Sequence, residues 1–333
     1  MIQYVLLFIL GLLCLIKGGD WFVDGASGIA KRFKISEILI GATVVSIGTT
    51  LPEVMVSATG AIEGHGDIAY GNALGSIICN TALISALTMA IRPSAVDKRG
   101  FSIATAFFFG AAAIYAVFAV TLKDFPRYLG IILLAIFAVY MTILIVQAKR
   151  HPEIEPLKAP EDDNANNDGQ AKPEKERKLW LEILLLVIGA ALIAVGAKLL
   201  VDNGTELARI MGVSEAVIAL TFVALGTSLP ELVTAVTALI KGHSALSIGN
   251  IIGANLFNIV LVMGVAVTLS PFSLPDSSML FGINSSLLID VPLMIAVMLI
   301  MAIPPLITGK LKRWQGITLL VLYAAFITFK FVY

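Results

Sequence analysis

The chain has 333 residues, 58% apolar and only 14% charged, with a mean hydropathy of +0.93. Soluble domains are about half apolar and roughly a quarter charged, so the composition speaks against a soluble domain and against disordered, collagen-like or disulfide-framework classes. Lys plus Arg and Asp plus Glu both number 23, which leaves no basic excess for nucleic acid, and no HExxH or Cys/His cluster suggests a zinc hydrolase.

A membrane span needs about 20 mostly apolar residues, and ten apolar segments follow in chain order. The first, 2–16, has no positively charged leader and no small-residue cleavage site, and it reads as a retained span rather than a signal peptide. Segments 35–61, 68–91, 101–122 and 128–148 complete a first half, 1–148. The stretch 149–178 holds eight acids, seven bases and four prolines without apolar periodicity. It is predicted to be a flexible linker, with Asp162, Asp163 and Asp168 solvated rather than calcium-sensing. Segments 179–200, 213–240, 245–270, 288–307 and 314–333 form a second half, 179–333. The expected fold class is therefore an all-α integral membrane protein with ten transmembrane helices. Cys14 and Cys79 lie in apolar runs and are expected as packed thiols. Alternate connections carry 18 Lys/Arg on one side and 5 on the other, which assigns the linker to the cytoplasm and both termini to the outside.

Sliding the chain against itself by 178 residues aligns Val23–Asn80 with Val201–Asn258 without a gap, with 21 identities in 58 positions. These repeats, about 23–91 and 201–269, are separated by five spans, so the second enters the membrane from the opposite side. Inverted repeats are an architecture of secondary transporters, whose substrate sites lie near the bilayer midplane between the repeats.

Only two acids lie deep inside apolar segments, Glu53 and Glu231, and they are repeat equivalents. An intramembrane carboxylate is costly and by default functional. Asp290, the nearest rival, precedes Val-Pro and is expected to cap a helix. Each glutamate follows a proline, in Gly48-Thr49-Thr50-Leu51-Pro52-Glu53 and Gly226-Thr227-Ser228-Leu229-Pro230-Glu231. Proline removes the N–H partner of the carbonyl four residues back, so both helices are expected to break there and expose oxygens, tolerated at that depth only around a buried or wet site. The next helix of the first repeat aligns Asn72, Ser76 and Asn80 on one face. The second aligns Asn250, Ala254 and Asn258. Carboxylates, hydroxyls and carbonyls are ligands for Ca²⁺ and other hard cations. His65 and His243, also equivalents, are expected at the interface.

At these residues, GTTLPE with GNALGSIICN and GTSLPE with GNIIGANLFN, the sequence resembles the Ca²⁺/cation antiporter superfamily, specifically its sodium/calcium exchanger branch of prokaryotic type. The resemblance implies two inverted five-helix halves with broken helices at the core. It also implies Na⁺ and Ca²⁺ as transported ions, no cofactor or protein partner, and a multi-pass protein of a prokaryotic plasma membrane. By motif position it implies carboxylate ligands Glu53 and Glu231, with Thr49 and Thr227 as further ligands and Thr50 and Ser228 beside them. Ser76, Asn80 and Asn258 would face the site, and backbone oxygens near Ser46 and Ala224 would complete it. Two departures stand out. Ala254 replaces a serine common in the family, and Asn258 replaces a common aspartate, which leaves two fixed carboxylates and weakens a potassium-dependent reading.

One Ca²⁺ or two Na⁺ neutralise two carboxylates, so competition for one pair of charges would couple the fluxes. The expected function is Na⁺/Ca²⁺ antiport. Ca²⁺/H⁺ antiport, with the glutamates carrying protons, is the alternative, and a cation channel stands behind both. No catalytic constellation suggests an enzyme.

Overall fold

The structure, a computed structural model, describes residues 1–150, 177–212, 226–275, 279–280 and 283–332. Position 224 and most of the expected linker lie outside them. The described chain is helical. In order it forms α1 (Ile2–Phe33), α2 (Glu37–Ile62), α3 (Gly66–Ile91), α4 (Lys98–Thr121) and α5 (Arg127–Arg150). There follow α6 (Leu179–Ile210), α7 (Leu229–Ile240), α8 (Ser244–Leu269), α9 (Ser286–Thr308) and α10 (Arg313–Val332). Eight of these, α1 to α6, α8 and α9, are long and apolar enough to cross a bilayer. Two small antiparallel ribbons add β1 (Asp124–Phe125) on β2 (Phe272–Ser273), and β3 (Met279–Leu280) on β4 (Ile283–Asn284).

α1 and α6 run past the ends of the apolar segments that announce them, because Lys17, Asp20 and Asp24 interrupt the hydropathy of α1 without interrupting its helix. The two helices lie antiparallel along a ladder of small residues seven apart. A Cβ built on Gly18 would lie 2.8 Å from Ile193 N, one on Gly11 2.9 Å from Gly196 O, and one on Gly25 2.6 Å from Glu182 O. Only glycine admits so close a backbone approach, as in other membrane helix pairs. The outward faces of α1, α5 and α6 carry exposed Leu6, Leu13, Ile131, Val139, Val187 and Val195, the apolar surface that lipid requires.

The centre of the molecule is α8, in which every residue from Leu246 to Phe257 is buried. It packs against the first turns of α2 so closely that a Cβ on Gly253 would lie 2.7 Å from Ala42 Cα. Wide π-helical turns interrupt α2 at Gly41–Val45, α3 at Asn80–Ser85, α8 at Asn258–Met263 and α9 at Ser286–Asp290. Such turns often mark functional sites.

Two sequence expectations need correction. α2 does not break at Pro52 but runs as continuous α-helix from Ser46 to Ile62. Gly48 faces Phe22 of α1, whose ring a Cβ there would meet at 3.0 Å. In the second copy the expected break is present: Ser228 (φ −88°, ψ 2°) lies outside the helix, α7 starts at Leu229, and Pro230 occupies its first turn, where no N–H is needed. Asp290 caps no helix. The helix begins upstream at Ser286, and the buried Asp290 side chain accepts from Ser286 Oγ at 3.0 Å and pairs with Lys330 Nζ at 2.8 Å. Cys79 is buried, Cys14 is half-buried, and both are free.

Candidate functional site

α2 and α7, both packed against α8, carry the two acids into the interior of the bundle. Glu53 and Glu231 have no solvent exposure, and they lie near enough for their charges to interact. Among the described residues, none of their four carboxylate oxygens has a hydrogen-bond partner. The hydroxyls of Thr49 and Thr50, one helical turn before Glu53, lie beside Glu231 of the other half. The two buried carboxylates thus come one from each sequence repeat.

The helices that carry most of the other residues singled out by motif pack against α2 or α7. Thr50, Ser76, Asn80, Ser228 and Asn258 are all buried, and their side-chain oxygens lack a partner among the described residues. A buried polar atom left unsatisfied costs about 1–3 kcal/mol, and native interiors rarely tolerate more than a few. Nine such oxygens, two on each of Glu53 and Glu231 and one on each of these five residues, are too many to ascribe to imperfect packing. Oxygens of this kind are what a hard cation takes: Ca²⁺ recruits about six to eight of them, carboxylates foremost. Asn80 and Asn258 also open the π-helical turns of α3 and α8.

Other residues are engaged in holding the helices. Ser46 Oγ donates to Gly41 O at 2.7 Å and to Asn250 O at 3.0 Å, tying α2 to α8. Thr49 Oγ1 donates to Asn250 Oδ1 at 3.2 Å, while Asn250 Nδ2 has no partner among the described residues. Asn72, half-buried, donates to Glu53 O at 3.2 Å and Ser57 Oγ at 2.9 Å, so it braces the backbone that carries Glu53. Thr227 is half-buried in the turn before α7. His65 stands just before α3, and His243 Nδ1 lies 2.6 Å from Glu37 Oε1.

Some buried polar residues escape sequence reasoning. Asn255 Nδ2 donates to Thr81 Oγ1 at 2.7 Å, and its Oδ1 is unpartnered among the described residues. Its repeat equivalent is Ile77, so internal symmetry gives no hint of it. Glu182 is only 5% exposed against Gly28 of α1. Its position at the head of an apolar segment makes it look like a solvated flank.

The family described as sodium/calcium exchanger protein matches residues 3–146 and 181–332. The chain is 33% identical to the putative antiporter CaxA of Alkalimonas amylolytica, over 100% of this chain and 99% of that one. It is 31% identical to the sodium/calcium exchanger MaX1 of Methanosarcina acetivorans, over 98% of both. Its fold superposes on the sodium-calcium exchanger NCX_Mj, in crystals soaked with Na⁺ and Sr²⁺, with a TM-score of 0.78 and 30% identity over 98% of each chain. A helical membrane protein with paired buried glutamates, matched along nearly its whole length, the chain belongs to the sodium/calcium exchanger family of antiporters.

Proposed function

We propose that this chain is a Na⁺/Ca²⁺ antiporter, using the Na⁺ gradient to move Ca²⁺ by alternating access. The reading rests above all on Glu53 and Glu231, two fully buried carboxylates without hydrogen-bond partners among the described residues, surrounded by hydroxyl and amide oxygens. Two negative charges bind one Ca²⁺ or two Na⁺, and either load removes the cost of unpaired charge in a low-dielectric interior. The empty pair resists reorientation, so one ion leaves in exchange for the other. The ligands are Glu53, Glu231, Thr49, Thr50, Thr227, Ser228, Ser76, Asn80 and Asn258, with Ser46, Ala224, Asn72 and Asn250 completing or bracing the shell. The names of MaX1 and NCX_Mj as sodium/calcium exchangers support the choice of ions.

The finer architecture belongs to the same proposal. Ten spans form two inverted five-helix halves, 1–148 and 179–333, joined by a cytoplasmic linker with both termini outside. The π-helical turns at Asn80–Ser85 and Asn258–Met263 lie 178 residues apart, in register with the sequence repeat, which supports this reading.

The experiment is ⁴⁵Ca²⁺ uptake into proteoliposomes loaded with Na⁺, with choline as the control. Uptake driven by outward Na⁺ and absent with choline is expected. Uptake driven by a pH gradient and indifferent to Na⁺ would replace this reading with Ca²⁺/H⁺ antiport.

A further inference from the structure

The basic face of the molecule divides into two regions. Near α1, Lys241 and Arg177 are paired with acids. Lys241 Nζ lies 2.7 Å from Asp24 Oδ1 and 3.4 Å from Asp20 Oδ1, and Arg177 Nη1 lies 3.4 Å from Asp24 Oδ2. Beneath α3, α4, α9 and α10 the connectors 92–97 and 309–312 join edge to edge. Ala95 and Lys310 form an antiparallel bridge, Val96 N donates to Gly309 O at 2.9 Å, and Leu311 N donates to Ser94 O at 2.9 Å. This joined unit and the helix ends beside it expose Arg92, Lys98, Arg99, Lys310, Lys312 and Arg313.

Its one acid, Asp97, accepts from the backbone N–H groups of Arg99 and Gly100 and caps α4. Among the described residues, no carboxylate pairs with Arg92, Lys98, Lys310, Lys312 or Arg313. Three of them instead donate to carbonyls at helix C-termini: Arg92 to Leu239 O, Lys98 to Ile307 O and Arg313 to Ile91 O, at 3.3, 2.7 and 3.4 Å. A helix C-terminus carries only about half a negative charge, so these bonds fix the bases in place without neutralising them. Beside the charges stand Ile91, Ile307 and Trp314, which are 68%, 72% and 51% exposed. Tryptophan next to apolar helix ends marks the level of the lipid headgroups.

Lys/Arg excess on cytoplasmic connections accounts for bases on this face, but not for their gathering on one hydrogen-bonded unit without a carboxylate partner, whereas Lys241 and Arg177 are paired with acids. We propose that the joined 92–97 and 309–312 connectors form a binding site for the headgroup of an anionic phospholipid. The phosphate lies among Lys310, Lys312 and Arg313, and the acyl chains lie along Ile91, Ile307 and Trp314. A soluble phosphate would gain from the charges but not from this apolar rim. Bound lipid would hold the end of α3, the helix that carries Ser76 and Asn80, against α10.

The test is native mass spectrometry of detergent-solubilised protein titrated with phosphatidylglycerol or phosphatidylcholine. Lys310 and Lys312 have exposed side chains without hydrogen bonds among the described residues, so Lys310→Gln/Lys312→Gln should fold, with an unchanged melting temperature as the check. Each base near an anionic surface contributes to attraction, so the double variant should bind phosphatidylglycerol on the order of tenfold more weakly, with phosphatidylcholine unaffected. Lys198→Gln, far from the patch in sequence and paired with Asp202, should behave as wild type. Equal phosphatidylglycerol affinity in the double variant and wild type would overturn the proposal. So would displacement of the lipid by millimolar inorganic phosphate, which would identify a free-anion site instead.

Discussion

Glu53 and Glu231 hold the only charge in a cluster of otherwise neutral oxygens, so each removes half of the site's charge when neutralised. Glu53→Gln and Glu231→Gln should each abolish Ca²⁺ transport in proteoliposomes while the protein still elutes as a folded species in size exclusion. Near wild-type flux in either variant would remove the site from consideration. These two acids are legible in the sequence because a carboxylate inside an apolar run has few structural uses. Asp290 is misread because its partner, Lys330, lies 40 residues away on another helix, and because a π-helical turn moves the start of α9 upstream. Asn72 is legible as a polar position on the correct helix, but its bracing of the Glu53 backbone depends on how α3 meets α2. Ala254, fully buried, occupies the position equivalent to Ser76. Ala254→Ser adds one hydroxyl oxygen on the α8 face that carries Asn258. One added oxygen ligand in a dry site is worth about 1 kcal/mol, or about fivefold in affinity. The half-maximal Na⁺ concentration for Ca²⁺ efflux should fall accordingly, with a smaller change for Ca²⁺. An unchanged Na⁺ dependence would show that position 254 lies outside the sodium shell.

Among the elements, the hydropathy pattern locates the helices well and their ends poorly. α1 extends to Phe33 and α6 to Ile210 because charged residues at the membrane surface continue a helix whose other face is packed. Proline illustrates the same limit: identical LPE sequences lie inside a continuous helix in α2 and at a helix start in α7, so the outcome is decided by what packs around them. The α1–α6 contact is the most exacting of these packings. In Gly18→Leu the new Cβ would fall 2.8 Å from a backbone nitrogen, which no side-chain rotation relieves. Overpacking of this kind costs about 1–3 kcal/mol or more. The variant should unfold at lower temperature than wild type in detergent, with Gly110→Ala as the comparison, since a Cβ at Gly110 meets nothing within 4 Å. Equal melting temperatures would show that the two helices separate freely.

For the molecule as a whole, the two buried glutamates come from different sequence repeats, and the polar stretch 151–176 carries neither repeat motif. Replacing 151–176 by a Gly/Ser segment of equal length should leave Na⁺-driven Ca²⁺ flux within about twofold of wild type, since a flexible linker of unchanged length closes the same connection at about the same entropic cost. Loss of flux in folded protein would reveal a regulatory role for that stretch.

The glycine ladder carries one more implication. Gly11 faces Gly196, and Gly18 faces Gly189; Gly189 and Gly196 are also the counterparts of Gly11 and Gly18 at the 178-residue offset of the repeat. Each helix therefore presents to the other the same surface that it receives. In an assembly of separate subunits this would be an isologous, self-complementary interface related by a two-fold axis. α1 and α6 meet as two copies of one subunit would, inside a single chain. Two identical helices of this kind, inserted in opposite directions, would meet along the same pair of glycines, so the contact is one that a two-fold axis leaves unchanged.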